Sequence, residues 1–245
     1  MCIFSQSILA QDLPSKFLNF YSYNFDYKLN KKVKLKAGNL FSFDTKTYKM
    51  NFTQFKLGAT LRWNKKLSSD FYYKPMLFKG ATKDIWYHRL SANLTHRSKL
   101  FRLPLKNTIT TEVFSPSPRK HKYRFIYTAK LSFKNKVLPL RATPYIKYQL
   151  YYYLGGTKVN YYDTTGTQLL ATNSPDGFHR YRLGTGVRFR PVKKFYVTLY
   201  YIWQEEFNMK SSKNRELNIP NQSQTRIINP FNDYQVVGLS FSYSL

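Results

Sequence analysis

A single cysteine occurs in 245 residues, and it is Cys2. The chain beyond the first residues therefore has no thiol, no disulfide and no cysteine metal site, and Met1 alone is too short an apolar run for a lipoprotein signal. Acidic side chains are scarce too: 12 Asp and Glu stand against 40 Lys and Arg, a formal net charge of +28. The four histidines, at 88, 96, 121 and 179, fall in no His-Glu-x-x-His pattern, and the chain has no Gly-x-Ser-x-Gly and no phosphate loop. The reading is accordingly not an enzyme, with no catalytic residues, no metal and no cofactor. No apolar run approaches the ~18–20 residues of a spanning helix. No Pro/Gly/Ser-rich linker or shift of composition divides the chain, which reads as one domain.

Aromatic residues make up 18% of the chain, with 22 Tyr and 20 Phe, and they recur with period two. Phe55, Leu57, Ala59, Leu61 and Trp63 alternate with Lys56, Gly58, Thr60 and Arg62. Tyr123, Phe125, Tyr127, Ala129 and Leu131 alternate with Arg124, Ile126, Thr128 and Lys130. Tyr181, Leu183, Val187 and Phe189 alternate with Arg180, Arg182, Gly184, Gly186, Arg188 and Arg190. Such alternation is the signature of β-strands with one apolar and one polar face. It persists to the chain end, where Val237, Leu239, Phe241, Tyr243 and Leu245 form one face and Gly238, Ser240, Ser242 and Ser244 the other. A strand with an apolar outer face up to its last residue suits a closed membrane barrel, whose final strand must pair so as to leave no edge in hydrocarbon.

Basic tight turns punctuate the strands: Tyr-Lys-Leu-Asn-Lys-Lys at 27–32, Leu-Arg-Trp-Asn-Lys-Lys at 61–66, Leu-Ser-Phe-Lys-Asn-Lys at 131–136 and Val-Arg-Phe-Arg-Pro-Val-Lys-Lys at 187–194, with a fifth inside 97–106. Asn30 and Asn64 suit such turns, because Asn tolerates left-handed backbone and bonds its own main chain. Longer connections fall near 44–51, 79–84, 115–121, 154–177 and 208–232, the last two reading as large external loops that carry hairpins. Short turns at one end and long loops at the other are the membrane-barrel pattern.

Eleven strands are expected, at about 18–29, 33–43, 52–63, 67–78, 85–97, 107–114, 122–134, 138–153, 178–190, 194–207 and 233–245. Bacterial single-chain barrels have even strand numbers, so parity argues for about twelve, with ten possible. The expected fold class is all-β, a single antiparallel up-and-down transmembrane barrel spanning 11–245. Residues 1–10, ending Ile8-Leu9-Ala10 before Gln11-Asp12, read as the remnant of a secretory signal peptide.

The charge follows the phase. Lys34, Lys36, Lys56, Arg62, Arg89, Arg124, Lys130, Arg141, Lys147, Arg180, Arg182, Arg188 and Arg190 take the inward phase and are expected to line the lumen. Asp26, Asp70, Glu112 and Glu206, with the same phase, are too few to pair with them all. A wet lumen of this kind draws in anions, as rings of Arg and Lys do in anion pores; a packed, hydrogen-bonded filling is the alternative. Nucleic acid is not expected, because the basic and aromatic residues lie on opposite faces of each strand.

The Tyr27–Lys32 and Trp63–Lys66 turns and the terminal Gly238–Leu245 resemble those of small Gram-negative outer-membrane barrels that repeat an aromatic-Lys-Leu-Asn-Lys-Lys hairpin and close on Gly-Leu-Ser-Phe-Ser. The resemblance implies the bacterial outer membrane and this fold, not a substrate. The leading functional expectation is a narrow anion-preferring channel, the alternative a non-conducting barrel serving as a structural subunit or docking surface of an envelope assembly. A barrel-wall lipid hydrolase is a minor third reading, since His88 and His96 share a face but Ser91 lies on the other. The expected partners are outer-membrane lipid and lipopolysaccharide, the barrel-assembly machinery through the C-terminal strand, and other envelope proteins.

Overall fold

The structure, a computed structural model, describes residues 16–80, 83–133, 139–209 and 213–245. The signal-peptide reading of residues 1–10 and the turn at Asn135 lie outside them. In chain order the strands are β1 (Lys16–Lys28), β2 (Val33–Asp44), β3 (Met50–Arg62), β4 (Leu67–Phe78), β5 (Ile85–Leu100), β6 (Leu103–Ser115), β7 (Tyr123–Ser132), β8 (Thr143–Leu154), β9 (Val159–Tyr162), β10 (Leu169–Asn173), β11 (Gly177–Phe189), β12 (Phe195–Glu206), β13 (Ile219–Pro220), β14 (Ile227–Ile228) and β15 (Tyr234–Ser244). Eleven of them close a barrel in the order β1-β15-β12-β11-β8-β7-β6-β5-β4-β3-β2. The pairs β9–β10 and β13–β14 are two-stranded hairpins within the two longest loops.

Ten of the neighbouring pairs in the wall are antiparallel. The eleventh is parallel: β1 lies beside β15 in the same direction, from Lys16↔Tyr234 to Asp26↔Ser244. The parity argument for twelve strands therefore does not apply. First and last strands both run from the long-loop end to the turn end, and a parallel seam lets an odd number close without an open edge. At the turn end the Leu245 amide donates to the Asp26 carbonyl at 2.8 Å, completing the seam.

The turns form through their asparagines. Asn30 Oδ1 accepts the amides of Lys32 and Val33, both at 2.8 Å, and Asn64 Oδ1 accepts those of Lys66 and Leu67, also at 2.8 Å. Main-chain bonding is thus the mechanism used there. The turn within 97–106 is a two-residue hairpin, Phe101 and Arg102 at φ 46° and 67° between paired Leu100 and Leu103.

The two faces of the wall invert the arrangement of a water-soluble barrel. Large apolar side chains point outward and stay exposed on strand after strand, among them Leu57, Phe71, Leu90, Ile109, Ile146 and Leu199. Exposed Tyr27, Trp63 and Phe101 ring the turn end, and Trp86 and Phe178 the loop end. Polar and charged groups, including Ser68, Asp70, Thr95, Glu112, Arg180 and Gln204, are buried inside. On β15 Val237 and Tyr243 are exposed and Leu239 and Phe241 half-buried, with Leu245 exposed just beyond the strand, while Tyr234 and Val236 point inward and are buried.

The lumen face carries glycines where aromatic rings cross it. A Cβ built on Gly238 would stand inside the Tyr200 ring, and one on Gly58 would overlap Tyr72. Those two glycines leave room for the rings to pack directly over the backbone of the neighbouring strand.

Candidate functional site: the charged lumen

At the turn side short polar chains link β1 to β4 along the inner face of the wall. Lys36 on β2 donates to Asp70 (3.3 Å) and to the Tyr72 hydroxyl (3.1 Å), two strands away on β4. Asp70 also accepts from Thr60. Lys56 donates to Asn24 Oδ1 at 2.6 Å, and Lys34 pairs with Asp26 at 3.2 Å. Lys130 stands 3.5 Å over the Tyr145 ring, and Arg188 lies 3.9 Å from that of Tyr196.

Nearer the loops the arginines gather. Glu112 on β6, almost wholly buried, is shared by Arg124, by Arg89 at 3.5 Å and by Lys74 at 3.5 Å. Glu206 on β12, fully buried, is shared by Arg180 and by Lys120 at 2.5 Å, and accepts from the Tyr153 hydroxyl at 3.1 Å. Arg182 instead donates to Gln204 Oε1 (2.6 Å) and to the Tyr234 hydroxyl. Three guanidiniums, of Arg124, Arg180 and Arg182, lie 5.0–5.6 Å from the one ring of Tyr151. Among the described residues Arg182, Lys130 and Lys147 pair with no carboxylate. Cations held this close without counter-charge produce a positive potential that low-dielectric walls concentrate.

Above the arginines, two long connections fold over the mouth. Leu217 is fully buried against Ile126, Tyr151 and Tyr153, held by reciprocal bonds with Asn208, both at 2.8 Å. His121, in the connection after β6, is wedged between Tyr153 (ring centroids 4.8 Å, nearly parallel) and Phe114 (4.8 Å, edge-on). Neither of its ring nitrogens has a hydrogen-bond partner among the described residues. Burial, reinforced by Arg124 and Arg180, pushes its pKa down to about 2.

Most expected lumen residues therefore meet inside the barrel: Lys34, Lys36, Lys56, Arg89, Arg124, Lys130, Arg180, Arg182 and Arg188 by the contacts above, and Lys147 in the same phase as Tyr145 and Tyr151. Arg190, one residue beyond β11, is 5.7 Å from the Tyr196 ring at the turn mouth. Two differ. Arg62 keeps the inward phase but ends β3 at the rim, exposed. Arg141 is not on a strand: it lies exposed in a short 3-10 turn, Pro139–Arg141, with φ 51°, because β8 starts only at Thr143.

Three cations escaped the sequence reading. Lys74 shares the phase of Asp70 and could have been found by it. Lys106, paired with Lys130 across β6 and β7, lies just before the expected start of its strand. Lys120 comes from a connection, where no periodicity exists to mark it. Nor did the alternation reveal that the inward face turns apolar near the seam, where Leu18, Phe20, Ile202, Tyr234 and Val236 form a buried cluster. On β5, Ser91 points inward to Lys74 (3.1 Å), whereas His88 is outside against the Tyr73 hydroxyl (2.6 Å), so the two do not pair.

Comparison with protein-family models, with curated proteins and with solved structures finds no match, so the reading rests on this chain's own residues.

Proposed function

We propose that this protein is a bacterial outer-membrane β-barrel whose lumen is a narrow, anion-preferring path. The observation that carries the anion preference is the cavity in the loop half of the lumen: six cations line its surface among the described residues, while the carboxylates paired with Arg89, Arg124 and Arg180, Glu112 and Glu206, are not part of its lining. The outward apolar wall supports the membrane reading, since a continuous exposed apolar surface of that kind is unfavourable in water and at home in hydrocarbon. Its aromatic ends match the two lipid interfaces. Outer-membrane lipid contacts the wall in this reading, lipopolysaccharide phosphates meet the loop cations, and the assembly machinery reads β15.

A second reading, a non-conducting barrel that docks envelope proteins, draws on the turn-side polar chains of Lys36, Asp70, Tyr72, Lys56 and Asn24, which line the inner face of β1–β4. Planar-bilayer recording of the refolded chain under a salt gradient separates the two. Discrete steps with a reversal potential displaced toward that of chloride are expected. A silent barrel that still needs detergent and shows a heat-dependent gel shift selects the second reading.

A further inference from the structure

The loop half of the lumen is two-faced. Leu18 and Phe20 of β1, Leu40 of β2, Phe52 of β3 and Met76 of β4 give it an apolar side. Arg89, Arg124, Arg180 and Arg182, from β5, β7 and β11, line the same cavity, which measures about 700 Å³. A vestibule of about 870 Å³ leads to it from the loops, and the two share Lys16, Pro118, His121, Arg180 and Asn232.

A path for small inorganic anions has no use for the apolar side, where Leu40 and Phe52 stay half-buried over the buried Leu18, Phe20 and Met76 and would meet water in a wet lumen at a cost proportional to their exposed area. The arginines have donors to spare. Arg182 uses its Nε and one Nη on Gln204 and Tyr234. The Arg89 Nε already faces Glu112 at 3.5 Å, whereas both His121 nitrogens are buried without partners among the described residues. Guanidinium forks match a carboxylate in geometry as well as charge. We infer that this chamber binds an organic carboxylate with an apolar tail, its head on the arginines and its tail along the Leu18–Phe20–Phe52 side. The volume lies within the ~300–1,000 Å³ range of small-ligand sites and suits a medium-chain acid. The inference deepens the anion reading and rests on it, naming the anion class.

The test uses the full chain in nanodiscs, with empty nanodiscs subtracted, and the carboxyl resonance of ¹³C-labelled octanoate. Acetate carries the head without the tail, and octanol the tail without the head. Octanoate is expected to bind at least tenfold more tightly than either. Arg182→Gln should weaken octanoate about tenfold, and Phe52→Ser should weaken octanoate while leaving acetate unchanged. Equal binding of acetate and octanoate overturns the inference in favour of a simple anion site; equal binding of octanol and octanoate overturns it in favour of an oily pocket. Both comparisons need only the unaltered protein. Chloride conductance of the same preparation keeps the two readings apart: octanoate binding without conductance refutes the channel and retains the chamber, and conductance without octanoate preference does the reverse.

Discussion

Replacing Glu112 with Gln removes the one carboxylate that Arg124, Arg89 and Lys74 share and leaves the three cations facing each other inside the wall. At ~4 Å a single such pair is attractive by ~4 kcal/mol at an effective dielectric constant near 20. The net loss is smaller than three times that, because the carboxylate also sheds its own desolvation cost. Broken buried pairs typically cost about 3–5 kcal/mol, and Glu112, with a side chain only 3% exposed, belongs in that range. Urea titration of the folded band on unheated gels should show that drop for Glu112→Gln. The double variant Glu112→Gln with Arg124→Gln should recover at least ~1 kcal/mol, the size expected for directly coupled partners. A single variant within ~1 kcal/mol of the unaltered protein would refute the reasoning, since it would mean that water already screens Glu112.

Arg182→Gln combined with Arg188→Gln breaks no ion pair but removes the donors to buried Gln204 and Tyr234, so the unfolding free energy should fall by only ~1–3 kcal/mol while the reversal potential loses part of its chloride preference; unchanged selectivity would show that these charges do not face the permeation path. Leu239→Arg puts a charge on the outer face of β15 at a cost of ~2–4 kcal/mol in hydrocarbon and should abolish the heat-dependent gel shift, whereas Ser242→Arg, on the lumen face, should retain it; equal behaviour would contradict the assigned faces. His121 has a folded pKa near 2, against about 6.5 unfolded, so the unfolded chain alone takes up the proton as pH falls below 6.5. Stability should drop by ~2 kcal/mol from pH 7 to pH 5, and His121→Phe, which keeps the stacking on Tyr153, should flatten that part of the profile; identical pH profiles would mean that His121 is not buried.

Strand positions were legible because period two survives wherever one face is apolar and the other polar, and the eleven expected segments correspond to the eleven wall strands. The turns were legible through Asn30 and Asn64, whose side chains act locally. The inward phase located Arg89, Arg124, Arg180 and Arg182 for the same reason. The partners of those cations were not legible, because whether Arg180 or Arg182 meets Glu206 depends on register between strands, which alternation within one strand does not encode. The apolar side of the chamber was hidden as well: near the loop end of β1 both faces are apolar, Leu18 and Phe20 inward and Tyr21 and Tyr23 outward, so periodicity there carries no sign. Arg141 misled because the pattern was extended through Pro139–Arg141, where the backbone leaves the strand conformation.

The parallel pairing of β1 with β15 bears on how the wall holds shut. Parallel ladders have slanted hydrogen bonds and are somewhat weaker per residue than antiparallel ones, so the junction of first and last strands is where the cylinder would part most readily. Leu18, Phe20, Tyr234 and Val236 straddle that junction from within and pack together, with Ile202 behind them. They act as an internal clasp, and Leu18, Phe20 and Tyr234 also line the chamber. Closing the cylinder and shaping its interior thus fall to the same three side chains, so that a change made to one alters the other.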